Sequence, residues 1–313
     1  MADKLAHEAE LPPTASSSKK PESNQSVDIG YYLNEGLEGT ERQQYHDVPS
    51  FARAIKSQAD HLRAGNLIVG QYAVFSSVTS EELTKLEQNR DTNRKSLRFL
   101  YLNDVETLIV KITPSKPYEL STSDLVQMVH EKAIAMGLVR QLLDLRGATF
   151  QGVRSKKEGD SALIPRTLSL ATDWPTVIFE CGLSESLKRL RADASWWLEN
   201  SRGAVKIVLL ICVSPQQRKI HLEQWETRNI LNPQPSRTDN SPLVTRRRKV
   251  HEIDITAPIV TGSALSPPVV DGAPLTLDFE KVMLRQPGNG EGNVVLTAQD
   301  LADYATIVWR SAQ

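Results

Sequence analysis

Two apolar strand-like runs separated by one helix constrain this chain most. Thr176 to Cys181 and Val205 to Val213 each read as a buried strand, and Gly182 and Ser184 lead into a helix over 185–200 that joins them. Upstream, Ser121 or Ser123 can N-cap a helix running to about Leu143, with Leu125, Val129, Met136, Val139 and Leu143 along one side. Strand-like stretches follow at 149–154 and 162–170, and Lys219 to Trp225 alternates with period two after the second buried run. Helix, three strands, helix and two strands make a mixed-sheet α/β (α+β) layer architecture over about 119–228.

The flanks attach to that core. Residues 1–27 are polar and Pro/Ser-rich, with too few apolar side chains to offset ordering entropy, and are expected to be disordered. Over 28–118 the sequence predicts a helix from Val48 to Ala64, stopped by Gly65, then a strand near 67–75 and a hairpin over 97–112 that turns at Asn103-Asp104. Residues 229–275 read as a Pro/Ser-rich linker or excursion. The stretch 276–313 packs on the core through a helix capped by Thr297.

Charge and cysteine content remove several function classes. The formal net charge is −1, so nucleic-acid binding needs a local basic surface. Cys181 and Cys212 each lie in an apolar run, which suits reduced core thiols and no zinc site. No apolar run is long enough to span a bilayer, and the first residues lack the apolar centre of a secretory signal. An intracellular protein, nuclear or cytoplasmic, with no membrane partner is the expectation.

Asp160 and Glu180 carry the chemistry. Asp160 opens a strand after the charged turn 155–159, and Glu180 sits among Val177, Ile178 and Phe179. A carboxylate on such a strand is costly to bury unless it is paired or bound to a metal. Two acids on neighbouring strand ends could hold Mg²⁺ or Mn²⁺ through hard oxygen ligands. From spacing alone, a structural ion pair to a nearby Arg or Lys is the preferred explanation of Glu180.

Lys157-Glu158-Gly159-Asp160, the run from Trp174 to Ser186 and the run from Leu190 to Leu198 resemble a family of uncharacterised fungal proteins. That family is similar to the PD-(D/E)XK (restriction-endonuclease-like, Uma2-like) nucleases, and the likeness extends over most of 97–309. It implies a restriction-endonuclease-like core, with Asp160 as the first motif aspartate and Glu180 as the second acid. Gly159 stands where the motif has proline and Gly182 where it has lysine, the residue that orients water and steadies phosphate charge. Arg191, on the helix stripe between Leu187 and Ala194, is the first candidate to replace it, with Lys188 and Lys157 behind. Glu119 and Glu131 are options for a third acid. The resemblance implies a divalent-metal-dependent nuclease acting on DNA. Loss of the lysine equally supports a catalytically inactive module that binds nucleic acid or a protein. DNA versus RNA and oligomeric state stay open.

Three further signals complete the reading. Gly182-Leu183-Ser184-Glu185-Ser186 lacks the second glycine of a nucleophile elbow, and an N-cap role suffices for Ser184. Trp197 is expected in the core and Trp196 against the linker or at an interface. Arg246, Arg247 and Arg248 form the densest basic run, read as either a solvated loop or a phosphate-contact patch, with Lys157 as a further nucleic-acid candidate.

Overall fold

The computed structural model of the chain describes residues 28–89, 97–113, 116–169, 171–183, 186–214, 216–232, 242–257 and 267–311. Its elements begin with α1 (Ile29–Asn34), β1 (Arg42–Gln44), α2 (Val48–Arg63), β2 (Tyr72–Ser76) and α3 (Ser80–Gln88). A hairpin of β3 (Leu97–Leu102) and β4 (Thr107–Ile112) leads into α4 (Lys116–Ala135). Then come β5 (Leu142–Asp144), β6 (Thr149–Gln151), β7 (Ser155–Glu158), β8 (Ser161–Pro165) and β9 (Val177–Leu183). The helix α5 (Leu187–Asn200) is followed by β10 (Ile207–Ser214), β11 (Lys219–Leu231), β12 (Leu243–Thr256) and β13 (Val269–Asp271). The chain closes with β14 (Leu275–Leu277), α6 (Phe279–Met283), β15 (Val294–Leu296) and α7 (Ala298–Arg310).

These elements form the mixed α+β architecture expected from the sequence. One sheet has the order β1-β2-β4-β3-β7-β6, a second has β13-β12-β11-β10-β9-β8-β5, and β14 pairs with β15. Strands β9 and β10 run parallel, so the chain must cross over between them, and α5 supplies that crossover. Gly159 and Asp160 are the link between β7 in the first sheet and β8 in the second.

The period-two pleat decides which side chains meet. On β9, Val177, Phe179, Cys181 and Leu183 pack in one core with Leu125 and Val129 of α4. Ile178 packs in the other, with Leu190 and Trp197 of α5. Glu180 follows Ile178 by two, so it faces the α5 side. On β4, Leu108, Val110 and Ile112 join the first core and Ile109 the second, which turns Lys111 toward that same α5 side. Both sheets thus place a charged residue in the same buried region on the α5 side.

Local signals explain most element ends. Asp47 caps α2 by accepting from Ser50 N at 2.7 Å, and Phe51, Ile55, Ala59 and Leu62 form its buried face. Thr297 and Asp300 close a capping box on α7. Both cysteines are free and buried. No helix among the described residues is long and apolar enough to cross a membrane.

Several expectations are corrected. Helix α4 begins at Lys116, not at Ser121 or Ser123, whose hydroxyls donate back to the carbonyls of Tyr118 and Leu120 inside the helix. It stops at Ala135, because Gly137 takes φ +82° and turns the chain, leaving Val139 exposed and Leu143 on β5. The stretch 67–75 splits into a 3-10 turn at Leu67–Val69 and β2. The charged stretch 155–159 is mostly strand β7, not a turn. Residues 243–256, expected within an excursion, form the long strand β12. Residues 1–27, 233–241 and 258–266, and Ser184, lie outside the described residues.

Gly36 shows how the N-terminal segment is seated on α5. Its φ is +69°, and a Cβ there would lie 2.4 Å from Arg189 N and 2.5 Å from Arg189 Cα. Arg189 donates to the carbonyls of Tyr32 at 2.6 Å and Glu35 at 3.2 Å. Gly36→Ala must lift this turn off the helix, so urea denaturation should show a loss of about 2–3 kcal/mol, whereas an unchanged midpoint would contradict the contact.

Candidate functional site

The seam between the sheets holds a closed network of charges. Lys111 Nζ donates to Asp160 Oδ2 at 2.7 Å and also to Glu180 Oε2. Lys157 Nζ bridges Glu180 Oε1 at 3.2 Å and Asp193 Oδ1 at 3.1 Å. Arg98 Nε approaches Asp160 Oδ1 at 3.4 Å, and Arg189 Nη2 lies 3.4 Å from Asp193 Oδ1. Neutral donors complete the acids. Cys181 N donates to Asp160 Oδ2 at 2.7 Å, Trp197 Nε1 to Glu180 Oε1 at 2.7 Å, and Tyr72 Oη to Asp193 Oδ2 at 3.3 Å. Three carboxylates therefore face four cations.

Burial makes each of these pairings matter. The Glu180 side chain is 0% exposed and that of Lys111 is 3% exposed. Burial alone would raise the pKa of Glu180, but Lys111 and Lys157, with hydrogen bonds from Lys111 and Trp197, overcome it and hold the carboxyl at about 2. Burial would likewise lower the pKa of Lys111, yet Asp160 and Glu180, joined by Tyr72 and Asp193, hold it well above its ordinary value. Both groups are ionised at neutral pH. Beside them, Cys181 is driven up to about 12, mainly by burial, so it stays a thiol.

The two acids do converge on one cation, but that cation is the ammonium of Lys111. A divalent ion between them would have to displace Lys111 and sit beside Lys157 and Arg98. The cavity at this network, lined by Tyr72, Arg98, Lys111, Lys157, Arg189 and Asp193 among others, has a volume of ≈ 10 Å³. That is room for about one water molecule. The residues present do not fit a resident Mg²⁺ or Mn²⁺.

Position 182, expected from the resemblance to be a lysine, is closed for a structural reason. A Cβ on Gly182 would lie 2.9 Å from Gln71 Oε1 and 3.2 Å from Leu190 Cδ1. Gln71 Oε1 accepts from Leu183 N at 3.0 Å and Ser186 Oγ at 3.2 Å, so it is held where a side chain from residue 182 would pass. At Gly159 a Cβ would press on Trp197 Cζ2 at 3.2 Å.

The basic residues expected to replace that lysine have other partners. Arg191 forms a two-pronged bond to Glu223, Nε to Oε2 at 3.0 Å and Nη2 to Oε1 at 2.5 Å. Lys188 is 55% exposed and pairs with Glu35 and Glu38. Lys157 does reach the network, but at 4% exposure it is no surface contact for nucleic acid. Glu119 and Glu131 lie on α4, and Glu131 accepts from Gln127 at 3.0 Å. Trp196 is not at an interface. It is 0% exposed and donates to Ser155 Oγ at 2.8 Å. Arg246, Arg247 and Arg248 are on β12, exposed, and not in a loop.

Sequence reasoning missed Lys111, Asp193, Arg98 and Arg189. Lys111 carried the signal used for Glu180, a charge inside an apolar strand, in Leu108-Ile109-Val110-Lys111-Ile112. It also missed a second cluster, in which ligand atoms of His221, Glu223 and Glu252 lie within 4.8 Å of one another. There Glu223 is already bound by Arg191 and by Trp225 Nε1 at 2.8 Å, and Lys249 pairs with Glu252.

No protein-family model matches the chain, and no curated protein matches it. Among solved structures, a protein from Anabaena variabilis described as a candidate nuclease of DUF820 is similar at 13% identity, covering 44% of this chain and 81% of its own, with a TM-score of 0.31. A likeness of that size fixes neither fold family nor activity.

The depressed pKa of Glu180 gives the buried network a pH-dependent contribution to stability. Its ionised form contributes stability fully above the ordinary value of 4.5, and that contribution is lost as the pH falls from there toward 2. Urea midpoints taken from neutral pH downward should hold steady and then drop through this window. A midpoint flat below pH 4.5 would contradict the pairing.

Proposed function

We propose that this chain is a non-catalytic module with a PD-(D/E)XK-like core, acting by binding nucleic acid or a protein partner and not by cutting phosphodiesters. In this reading Asp160 and Glu180 are inherited acids that hold the ammonium of Lys111 where a nuclease would hold a metal. The observation that carries it is the pairing of Lys111 with both carboxylates while Glu180 is 0% exposed. Two others support it. Gly182 leaves the lysine position empty of chemistry and Gln71 fills the space, and the adjoining cavity of ≈ 10 Å³ takes a water but no nucleotide. Once both acids are satisfied internally, the pair serves the fold. Removing one partner of such a buried pair typically costs about 3–5 kcal/mol.

A metal-dependent nuclease acting on DNA is the second reading, favoured by the convergence of two carboxylates on one point. Mg²⁺ or Mn²⁺ would then be held by Asp160 and Glu180, with Lys111 or Lys157 withdrawn from the acids to steady phosphate charge in place of the missing motif lysine.

Thermal melts with and without Mn²⁺ separate the two. The parent should show no metal-dependent rise in Tm, and plasmid nicking should be the same for the parent and Asp160→Ala. Lys111→Ala should gain metal-dependent stabilisation, about 2.7 kcal/mol at a hundredfold excess over Kd, which Lys111→Ala/Asp160→Ala loses again. Metal stabilisation of the parent, with nicking abolished in Asp160→Ala and Glu180→Ala, would establish the nuclease instead.

A further inference from the structure

Strands β11 and β12 outrun the sheet that they belong to. β11 is paired with β10 only up to Trp225, and β13 pairs with β12 only at Asp254–Thr256. Beyond Trp225, residues 226–231 pair with 243–248 alone among the described residues, as a two-stranded arm. Such a ribbon is marginal in water unless something packs on it. At its root the arm is fixed on one face, because Arg247 pairs with Glu199 and lies over the Tyr31 ring at 5.2 Å.

The other face is held at its root by Lys281 on Glu226, but among the described residues none of its arginines is anchored. Arg228 stands directly opposite Arg246, and Glu226 opposite Arg248, so Arg228, Arg246 and Arg248 share one face of the pleat. All three are exposed, and none forms an ion pair among the described residues. Glu226 does not neutralise them. It is 3% exposed and bound by Lys281 at 2.6 Å and Gln224 at 2.9 Å. Like charges directly opposite on paired strands are destabilising, so this arrangement favours an external anion. Toward the tip of this face lies Ile230, 38% exposed, while Leu231, 79% exposed, is on the opposite face.

We propose that this outer face of the arm, carrying Arg228, Arg246 and Arg248, is a contact surface for duplex DNA. Regularly spaced guanidinium groups suit backbone phosphates, and a two-stranded ribbon fits the B-form major groove, about 12 Å wide, but not the deep, narrow one of A-form RNA. With a formal net charge of −1 over the whole chain, attraction to DNA must come from a local surface of this kind. The inference goes beyond the reading of the acid centre and holds whether or not that centre binds a metal.

The test is fluorescence anisotropy of the full chain on a mixed-sequence duplex, in EDTA, across a salt series. The parent should bind, and Arg228→Ala/Arg246→Ala/Arg248→Ala should reduce the magnitude of the log–log salt slope by about 2.7, without lowering the melting temperature. A charge-matched control, Lys56→Ala/Arg63→Ala/Lys85→Ala, should bind as the parent does. Failure of the parent to bind, an equal loss in both triple variants, or polyglutamate competing as well as duplex would overturn the proposal.

Discussion

The ammonium of Lys111, held between Asp160 and Glu180, ties the two sheets together at their most costly point. Lys111 comes from β4 in one sheet and Glu180 from β9 in the other, while Asp160 sits on the link that carries the chain between them. Taking any of these charges out of water alone would cost several kcal/mol, so each depends on the others being in place. Trp197, the amide of Cys181 and Lys157 satisfy the remaining oxygens, and Asp193 with Arg189 carries the network on to α5 and α1. Two carboxylates that converge on one point can serve either a metal site or an internal salt bridge. What separates them is the identity of the cation.

Much of the architecture could be read from local pattern. The buried strands β9 and β10, helix α2, the hairpin of β3 and β4 and the capped α7 all announce themselves by periodicity or by a cap. Glu180 was legible because a carboxylate interrupts an apolar strand. Lys111 interrupts one in the same way, but its meaning lies in a partner 69 positions away in another sheet, and strand periodicity names a face without naming what comes to meet it. Arg191 illustrates the same limit on a helix. Its spacing puts it on the core-facing stripe, whereas its side chain is 41% exposed and pairs with Glu223 of β11, and the buried arginine of that helix is Arg189. Strand β12 was hidden by composition, since its polar and basic residues look like loop when the cross-strand partners that hold them extended are unknown.

Gly182 and Gly159 each lie against a side chain that belongs to the seam. Gly182 belongs with Gln71, whose amide oxygen is engaged by Leu183 and Ser186, and Gly159 belongs with Trp197, which itself donates to Glu180. Neither glycine is a free substitution. Each makes room for a side chain that packs into the seam.

An anomalous-diffraction experiment on crystals grown with excess Mn²⁺ tests the central claim most directly. The account predicts a Lys111 side chain in contact with Asp160 and Glu180 and no manganese peak between them. A manganese peak bound by both carboxylates, with Lys111 turned away, would contradict it.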